Sequence, residues 1–166
     1  MRLFTSQITF QEIPDEICLS LHIAGCPLRC EGCHSSDAWA KTKGTPFAVM
    51  QFRQILDRYA AALTCVVFLG GEWHETELVQ LLAHARSRNL KTALYTGLDD
   101  VSEQLKSRLD YLKTGRWLPH RGGLDSPNTN QRLIDLQTGK LILPKQQGGG
   151  HDKTDNKPSG SKEAFC

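Results

Sequence analysis

Short apolar runs alternate with longer amphipathic segments along most of the chain. Short runs that carry β-branched or aromatic side chains are typical of strands. One of them, CVVFL, is apolar throughout, as expected of a strand that is buried on both faces. The predicted strands are ICLSLHI at residues 17–23, CVVFL at residues 65–69, TALY at residues 92–95 and YLK at residues 111–113.

The segments between these strands repeat apolar side chains at helical spacing. The first predicted helix has Thr45 as its N-cap and Pro46 at its first position, and it continues to Leu63. The other two cover residues 76–88 and 101–109. Because strands and helices alternate, the pattern predicts an α/β fold built from βαβ units, with right-handed crossovers and a parallel sheet.

The chain changes character after the last of these helices and strands. The runs RLIDL and KLIL flank a Gln-Thr-Gly turn and are predicted to pair as a hairpin or to extend the edge of the sheet. Residues 145–166 are rich in Gly, Lys, Asp and Ser and cannot bury enough apolar surface to offset their ordering entropy. We therefore expect one domain at residues 1–144 and a disordered tail at residues 145–166.

Composition adds few constraints. The 166 residues are 39% hydrophobic and carry a formal net charge of +2, so the charge demands no nucleic-acid or membrane partner. The N-terminus lacks the apolar stretch of a signal peptide, and no apolar run approaches the length of a membrane span. The sequence therefore predicts a soluble, cytoplasmic protein that binds neither nucleic acid nor membrane.

The cysteines change this picture because three of the six lie within the stretch CPLRCEGC. In a reducing compartment, such clustering indicates a metal site or catalysis rather than disulfides. Thiolates select zinc, copper(I) or iron–sulfur clusters. His34 directly follows the third cysteine and is poorly placed as a fourth zinc ligand, whereas three thiolates on a [4Fe-4S] cluster would leave one iron open. Two of the other cysteines, Cys18 and Cys65, lie inside predicted strands and are expected to be core residues.

Two further motifs follow predicted strands. Gly70-Gly71-Glu72 comes directly after the second strand, and Thr96-Gly97 comes after the third. In open parallel sheets, ligands bind at the carboxyl ends of the strands. We therefore expect the cysteine loop, the Gly-Gly-Glu motif and the Thr-Gly motif to form one site.

A CxxxCxxC loop after the first predicted strand, followed by Gly-Gly-Glu at a strand end, resembles the radical S-adenosylmethionine superfamily. Within it, the chain is similar to the activating proteins of anaerobic ribonucleoside-triphosphate reductases. The similar words are GCPLRCEGCHSSDAW, GTPF, LGGE, LYTG, KTGRW and SPNTNQRLIDL, which extend over nearly the whole chain up to about residue 143. The chain departs from these relatives at His34, where they carry Tyr, at Trp73, where Pro is common, and at Thr114, where they carry an acid.

The resemblance implies a catalytic domain at residues 1–144, folded as a small, open and incomplete (β/α) barrel with a mostly parallel sheet. It implies reductive cleavage of S-adenosylmethionine at a [4Fe-4S] cluster, after which the 5′-deoxyadenosyl radical abstracts a hydrogen atom from a glycine of the reductase. The implied partners are that reductase, as a protein substrate, and an electron donor of the flavodoxin or ferredoxin type.

The resemblance also implies roles for individual residues, with no catalytic side chain beyond the cluster and S-adenosylmethionine. The implied cluster ligands are Cys26, Cys30 and Cys33. The residues implied to contact S-adenosylmethionine are Gly32, Cys33, His34, Gly70, Gly71, Glu72 and Thr96.

Two alternatives stay open from the sequence. One is another small radical enzyme with a small-molecule substrate, similar to 7-carboxy-7-deazaguanine synthase. The other is a non-enzymatic α/β binding module stapled by zinc.

Overall fold

A single mixed sheet organises the chain, in the strand order β3-β1-β2-β4-β5-β6-β7-β8. The structure, a computed structural model, describes residues 1–59 and 61–143. The eight strands within these residues are β1 (Arg2–Thr9), β2 (Cys18–Ile23), β3 (Thr45–Pro46), β4 (Cys65–Leu69), β5 (Lys91–Tyr95), β6 (Tyr111–Thr114), β7 (Arg132–Asp135) and β8 (Lys140–Leu143).

The predicted fold class, an incomplete (β/α) barrel with a mostly parallel sheet, is wrong. Only the central strands β2, β4, β5 and β6 pair in parallel. The other four of the seven strand pairs are antiparallel: β1 with β2, β1 with β3, β6 with β7, and β7 with β8. The sequence pattern missed β1, and the chain beyond β6 returns without a crossover helix, so both sides of the sheet are completed by antiparallel strands.

Three α-helices accompany the sheet in the described part of the chain: α1 (Val49–Tyr59), α2 (Glu75–Ser87) and α3 (Glu103–Lys106). The prediction that Thr45 caps the first helix is wrong, because Thr45 and Pro46 form β3 and pair with the start of β1. Helix α1 instead begins after Ala48, whose backbone N–H donates to the side-chain oxygen of Gln51 at 3.1 Å. None of the helices that the structure describes is both long enough and apolar enough to cross a membrane.

The predicted strands of the parallel centre are confirmed. Strand β4 has the predicted bounds, and β2, β5 and β6 differ from prediction by one residue each. The RLIDL and KLIL runs pair as the antiparallel hairpin β7–β8, which extends the sheet edge as predicted. The predicted disordered tail at residues 145–166 lies outside the described residues.

The core lies on both faces of the sheet, and β4 shows how its side chains alternate. Val66 and Phe68 belong to the larger cluster, which includes residues of α1 and α2, whereas Cys65 and Val67 belong to a smaller one. Cys18 lies in that smaller cluster as the register partner of Cys65, and both are fully buried, which confirms that they are core residues.

The side chain of Phe52 on α1 carries much of the helix-to-sheet packing. It is fully buried, and its ring centroid lies 6.0 Å from that of Phe68 and 6.0 Å from that of Phe47. We expect Phe52→Ala to lower the free energy of unfolding by about 3–5 kcal/mol, because it removes buried apolar surface and leaves a cavity. Urea denaturation followed by circular dichroism measures this change.

Phe10→Ala is the matched control, because the Phe10 side chain is 69% exposed. It should change the free energy of unfolding by no more than about 0.5 kcal/mol. Equal losses for the two variants would contradict the described packing of α1.

Candidate metal centre

A pocket of about 180 Å³ lies at the carboxyl ends of the four parallel strands. One row of register partners across these strands lines it: His22 on β2, Leu69 on β4, Tyr95 on β5 and Lys113 on β6. Because the strands are parallel, the loops that follow them rise from the same edge of the sheet. Residues of all three predicted strand-end motifs line this one pocket.

The cysteine loop brings its three thiols to this pocket. Cys26, Cys30 and Cys33 all line it, with Cys30 buried and the other two half-buried. The loop is held by three polar contacts: Gly25 N–H donates to the carbonyl of Ala38 at 2.7 Å, Cys33 N–H to the carbonyl of Cys30 at 3.1 Å, and the Arg116 guanidinium to the carbonyl of Leu28 at 2.5 Å. Burial raises the pKa of the Cys26 thiol, so a metal that takes up the thiolate would offset that penalty.

The backbone of the loop is bent back at Gly32, which has a φ of +65°. A Cβ at this position would lie 3.2 Å from Cγ of Pro119 and 3.5 Å from Nε1 of Trp117. His34 packs edge-on against the Trp117 ring, with centroids 4.8 Å apart. Neither Gly32 nor His34 lines the pocket; both are exposed on the side of the loop that contacts residues 117–119.

The Gly-Gly-Glu motif turns the chain sharply after β4. Gly70 and Gly71 have φ values of +78° and +109°, which L-residues with side chains rarely adopt. A Cβ on Gly70 would lie 2.5 Å from Cη2 of Trp73, so only glycine allows the indole to lie over the strand end. Gly70 lines the pocket, whereas Gly71 is buried against Ile23 and does not.

Glu72 and Thr96 form a hydrogen-bonded pair inside the pocket. The Thr96 hydroxyl donates to Oε1 of Glu72 at 2.6 Å and accepts from the backbone N–H of Leu98 at 3.0 Å. The other carboxylate oxygen, Oε2, is buried and has no hydrogen-bond partner among the described residues. Burial raises the pKa of Glu72, despite the hydrogen bond from Thr96. The pocket therefore contains a buried acceptor that a ligand donor could satisfy.

All three tryptophans of the chain line the same pocket: Trp39, Trp73 and Trp117. The indole Nε1 of each is buried without an acceptor in the described part of the chain. Buried polar atoms in native proteins are usually hydrogen-bonded, so unmet groups that gather at one pocket indicate a site for a polar ligand. No local signal in the sequence marks these indoles as part of a site, because the surroundings of an indole N–H depend on tertiary contacts.

Lys113 and Gln131 also line the pocket, although neither was among the predicted site residues. Burial lowers the pKa of Lys113 to about 8. Gln131 is 5% exposed and donates from its side chain to the carbonyl of Gly115 at 3.3 Å. Lys113 could not be found from the sequence, because a lysine in a short strand ordinarily indicates a solvent-exposed face. Its place in the pocket wall follows from the register that pairs it with Tyr95.

The donor set fits a cluster better than a single ion. Among residues 1–59 and 61–143, no group of three or more His, Cys, Asp or Glu side chains lies close enough to hold one metal ion. A cubane cluster relaxes this requirement, because each thiolate binds a different iron. The edge-on packing of His34 against Trp117 also argues against His34 as a fourth ligand of a zinc ion.

Removal of the Glu72 carboxyl group should stabilise the metal-free, reduced protein, and more so as the pH rises. The reason is that burial raises the pKa of this group, so its ionisation in the folded state is costly. The ordinary value is 4.5, so the contribution of Glu72 to stability is fully present below that pH and is lost as the pH rises through the raised folded-state value. Glu72→Gln keeps an acceptor for Thr96 but cannot ionise. We expect its free energy of unfolding, relative to the wild type, to be higher near pH 8 than near pH 4.5, as measured by urea denaturation.

Glu31→Gln is the control for the same chemical change at an exposed position of the cysteine loop. A difference between Glu72→Gln and wild type that stays constant or shrinks as the pH rises would contradict the burial of an unpaired carboxylate oxygen at this site.

Comparison with known proteins agrees with the donor set. A search of curated proteins finds no match. The family model described as "4Fe-4S single cluster domain" matches residues 17–117, which is more than half of the chain. The matched region begins just before β2 and includes the three cysteines, Gly70-Gly71-Glu72, Thr96 and Lys113. The chain therefore belongs to the 4Fe-4S single cluster domain family.

Proposed function

We propose that this chain is a radical S-adenosylmethionine enzyme of the activating type. It reductively cleaves S-adenosylmethionine and uses the 5′-deoxyadenosyl radical to generate a glycyl radical on an anaerobic ribonucleoside-triphosphate reductase. The observation that carries this proposal is the presence of Cys26, Cys30 and Cys33 on one pocket, in a chain whose family binds a single [4Fe-4S] cluster.

The three loop cysteines are the proposed ligands of the cluster. The other two cysteines in the described residues are Cys18 and Cys65. They are the first residues of β2 and β4, at the ends of these strands away from the pocket, and they do not line it. The described chain therefore offers three thiolates, one fewer than a closed cubane takes, so one iron would be free for a ligand from solution. When bound, the cluster supplies the low-potential electron that the cleavage of a sulfonium bond requires.

The polar groups beside the cysteines suit the methionine end of S-adenosylmethionine. Its amino group is a charged donor, and Oε2 of Glu72 is a buried acceptor without a partner among the described residues. Thr96 already donates to Glu72 and accepts from Leu98, so its role in the proposal is to orient the carboxylate rather than to bind the ribose. The resemblance also implied contacts from Gly32, His34 and Gly71, but none of these residues lines the pocket, so the proposal assigns them no contact.

The proposal of a protein substrate rests on how little of the described chain remains to cover the pocket. Its lining residues end at Gln131 in the described chain, and the hairpin β7–β8 that follows extends the edge of the sheet instead. Little of the described chain is left to enclose a second small molecule. The reductase as substrate, an electron donor of the flavodoxin or ferredoxin type and a cytoplasmic location belong to this proposal.

Substitution of the loop cysteines tests the proposed cluster ligands. After anaerobic reconstitution, Cys26→Ser, Cys30→Ser and Cys33→Ser should each lose most of their bound iron and form 5′-deoxyadenosine only at background level with dithionite. The expected loss follows because a serine hydroxyl is a poor substitute for a soft thiolate. Iron and sulfide analysis and chromatography of the nucleoside product measure these effects.

Cys166→Ser is the matched control, since it removes a thiol that is not a proposed ligand. Wild-type iron content in any of the three loop variants would contradict the ligand assignment. Zinc at about one per chain, without sulfide, would instead support the zinc-stapled module.

Radical transfer to a reductase tests the proposed protein substrate. Incubation of the reduced enzyme with S-adenosylmethionine and an anaerobic ribonucleoside-triphosphate reductase should produce the doublet electron paramagnetic resonance signal of a glycyl radical on the reductase. A reductase variant in which the target glycine is replaced by alanine is the control. Formation of 5′-deoxyadenosine without this signal would favour a small-molecule substrate, as in the synthase alternative.

A further inference from the structure

Lys113 places a positive charge in the wall of the cysteine pocket. It lies on β6 in register with Tyr95, and its ammonium group lies 5.8 Å from the centroid of the Tyr95 ring. In residues 1–59 and 61–143, its Nζ has no hydrogen-bond or ion-pair partner. Of the lysines and arginines in the described chain, Lys113 is the one that lines this pocket.

Three acidic groups lie near this charge: Cys30 and Cys33, which line the pocket, and Glu12, which does not. When ionised, each favours the charged form of Lys113 electrostatically, although none is within ion-pair distance. The backbone carbonyl of Glu12 accepts a hydrogen bond from the hydroxyl of Tyr95, which lines the pocket. Lys113 is half-buried, and a partly desolvated ammonium without an ion-pair partner is costly, so its position indicates a counter-charge that arrives with the ligand.

We propose that Lys113 stabilises the reduced form of the [4Fe-4S] cluster and thereby raises its reduction potential. This inference rests on the proposed cluster ligation by Cys26, Cys30 and Cys33. Lys113 acts through its charge: it does not bind iron, and no bond forms or breaks at its side chain. One electron enters from a flavodoxin- or ferredoxin-type donor, and no proton needs to move.

The direction of the effect follows from the charges. Three thiolates leave the oxidised cluster with net negative charge, and the added electron makes it more negative. A fixed ammonium group therefore favours the reduced form over the oxidised one. The effect is stronger in a pocket wall than in water, because the effective dielectric constant is lower there. Charge near the cluster is among the factors that set the potentials of such centres.

Redox titration of the reconstituted full-length protein without S-adenosylmethionine tests the proposal. The signal of the reduced cluster is followed by electron paramagnetic resonance while the potential is lowered with titanium(III) citrate. Lys113→Met should shift the midpoint potential to a more negative value, and Lys113→Arg, which keeps the charge, should titrate close to the wild type. Lys113→Gln is a second neutral variant, in case the methionine side chain perturbs the pocket.

Lys140→Met is the matched control, because it makes the same change in net charge at an exposed residue of β8. A wild-type midpoint potential in iron-loaded Lys113→Met and Lys113→Gln would overturn the inference. An equal shift in Lys140→Met or in Lys113→Arg would also overturn it, since the effect would not come from a charge at this site. Loss of iron from both neutral variants would assign Lys113 to cluster retention and overturn the role in potential.

These outcomes are separable from failure of the proposed function. Suppose that the midpoint potential of Lys113→Met is more negative, as expected, but the wild-type protein does not cleave S-adenosylmethionine. The inference would then stand, and the enzymatic proposal would be contradicted. Unchanged potentials, in a protein that does cleave it, would contradict the inference alone. A wild-type chain that binds no iron would overturn both.

Discussion

Parallel pairing of β2, β4, β5 and β6 in one register is the constraint on which the rest of the site depends. The register sets His22, Leu69, Tyr95 and Lys113 in a single row, and all four line the pocket. Since successive side chains of a strand point to opposite faces, a slip of one residue in any strand would turn its member of this row away from the pocket. The cysteine loop and the Gly-Gly-Glu turn approach one another only because their strands end at the same edge.

The pocket formed in this way contains polar groups whose partners are not in the described chain. The three indole N–H groups, one oxygen of Glu72 and the ammonium of Lys113 lack them. Each buried group left unpaired costs about 1–3 kcal/mol, and charged groups cost more. A bound cluster with its ligand would therefore stabilise the fold by supplying partners to some of these groups. Metal binding and folding are expected to be coupled for the same reason.

The sequence predicted those parts of the fold that depend on local pattern. The apolar runs of the parallel centre and the β7–β8 hairpin were found, because strand propensity and turn residues specify them within a few positions. The fold class was not, because pairing of β1 with β2 and β3 is a long-range contact, and Pro46 after Thr45 is a helix-start signal that tertiary pairing overrides. The order of strands and helices along the chain does not reveal that antiparallel strands are added at the edges of a parallel centre.

Local motifs likewise predicted part of the candidate site, and the rest depends on tertiary contacts. Cys26, Cys30 and Cys33, together with Gly70, Glu72 and Thr96, could be located because short motifs at strand ends carry them. Lys113 and the three indole N–H groups could not, since a polar side chain in a strand or loop has no local signal that distinguishes a pocket wall from solvent. Gly71 was expected at the ligand, yet it is buried against Ile23, which shows that a motif can act through the turn it makes.

Mössbauer spectroscopy of the protein reconstituted with ⁵⁷Fe can show whether one iron of the cluster is open, because it distinguishes the individual irons. We expect a [4Fe-4S] cluster in which one iron of the four changes its spectrum when S-adenosylmethionine is added, while the three bound by Cys26, Cys30 and Cys33 do not. Four irons that are all insensitive to S-adenosylmethionine, or a chain that takes up zinc in place of iron and sulfide, would contradict it.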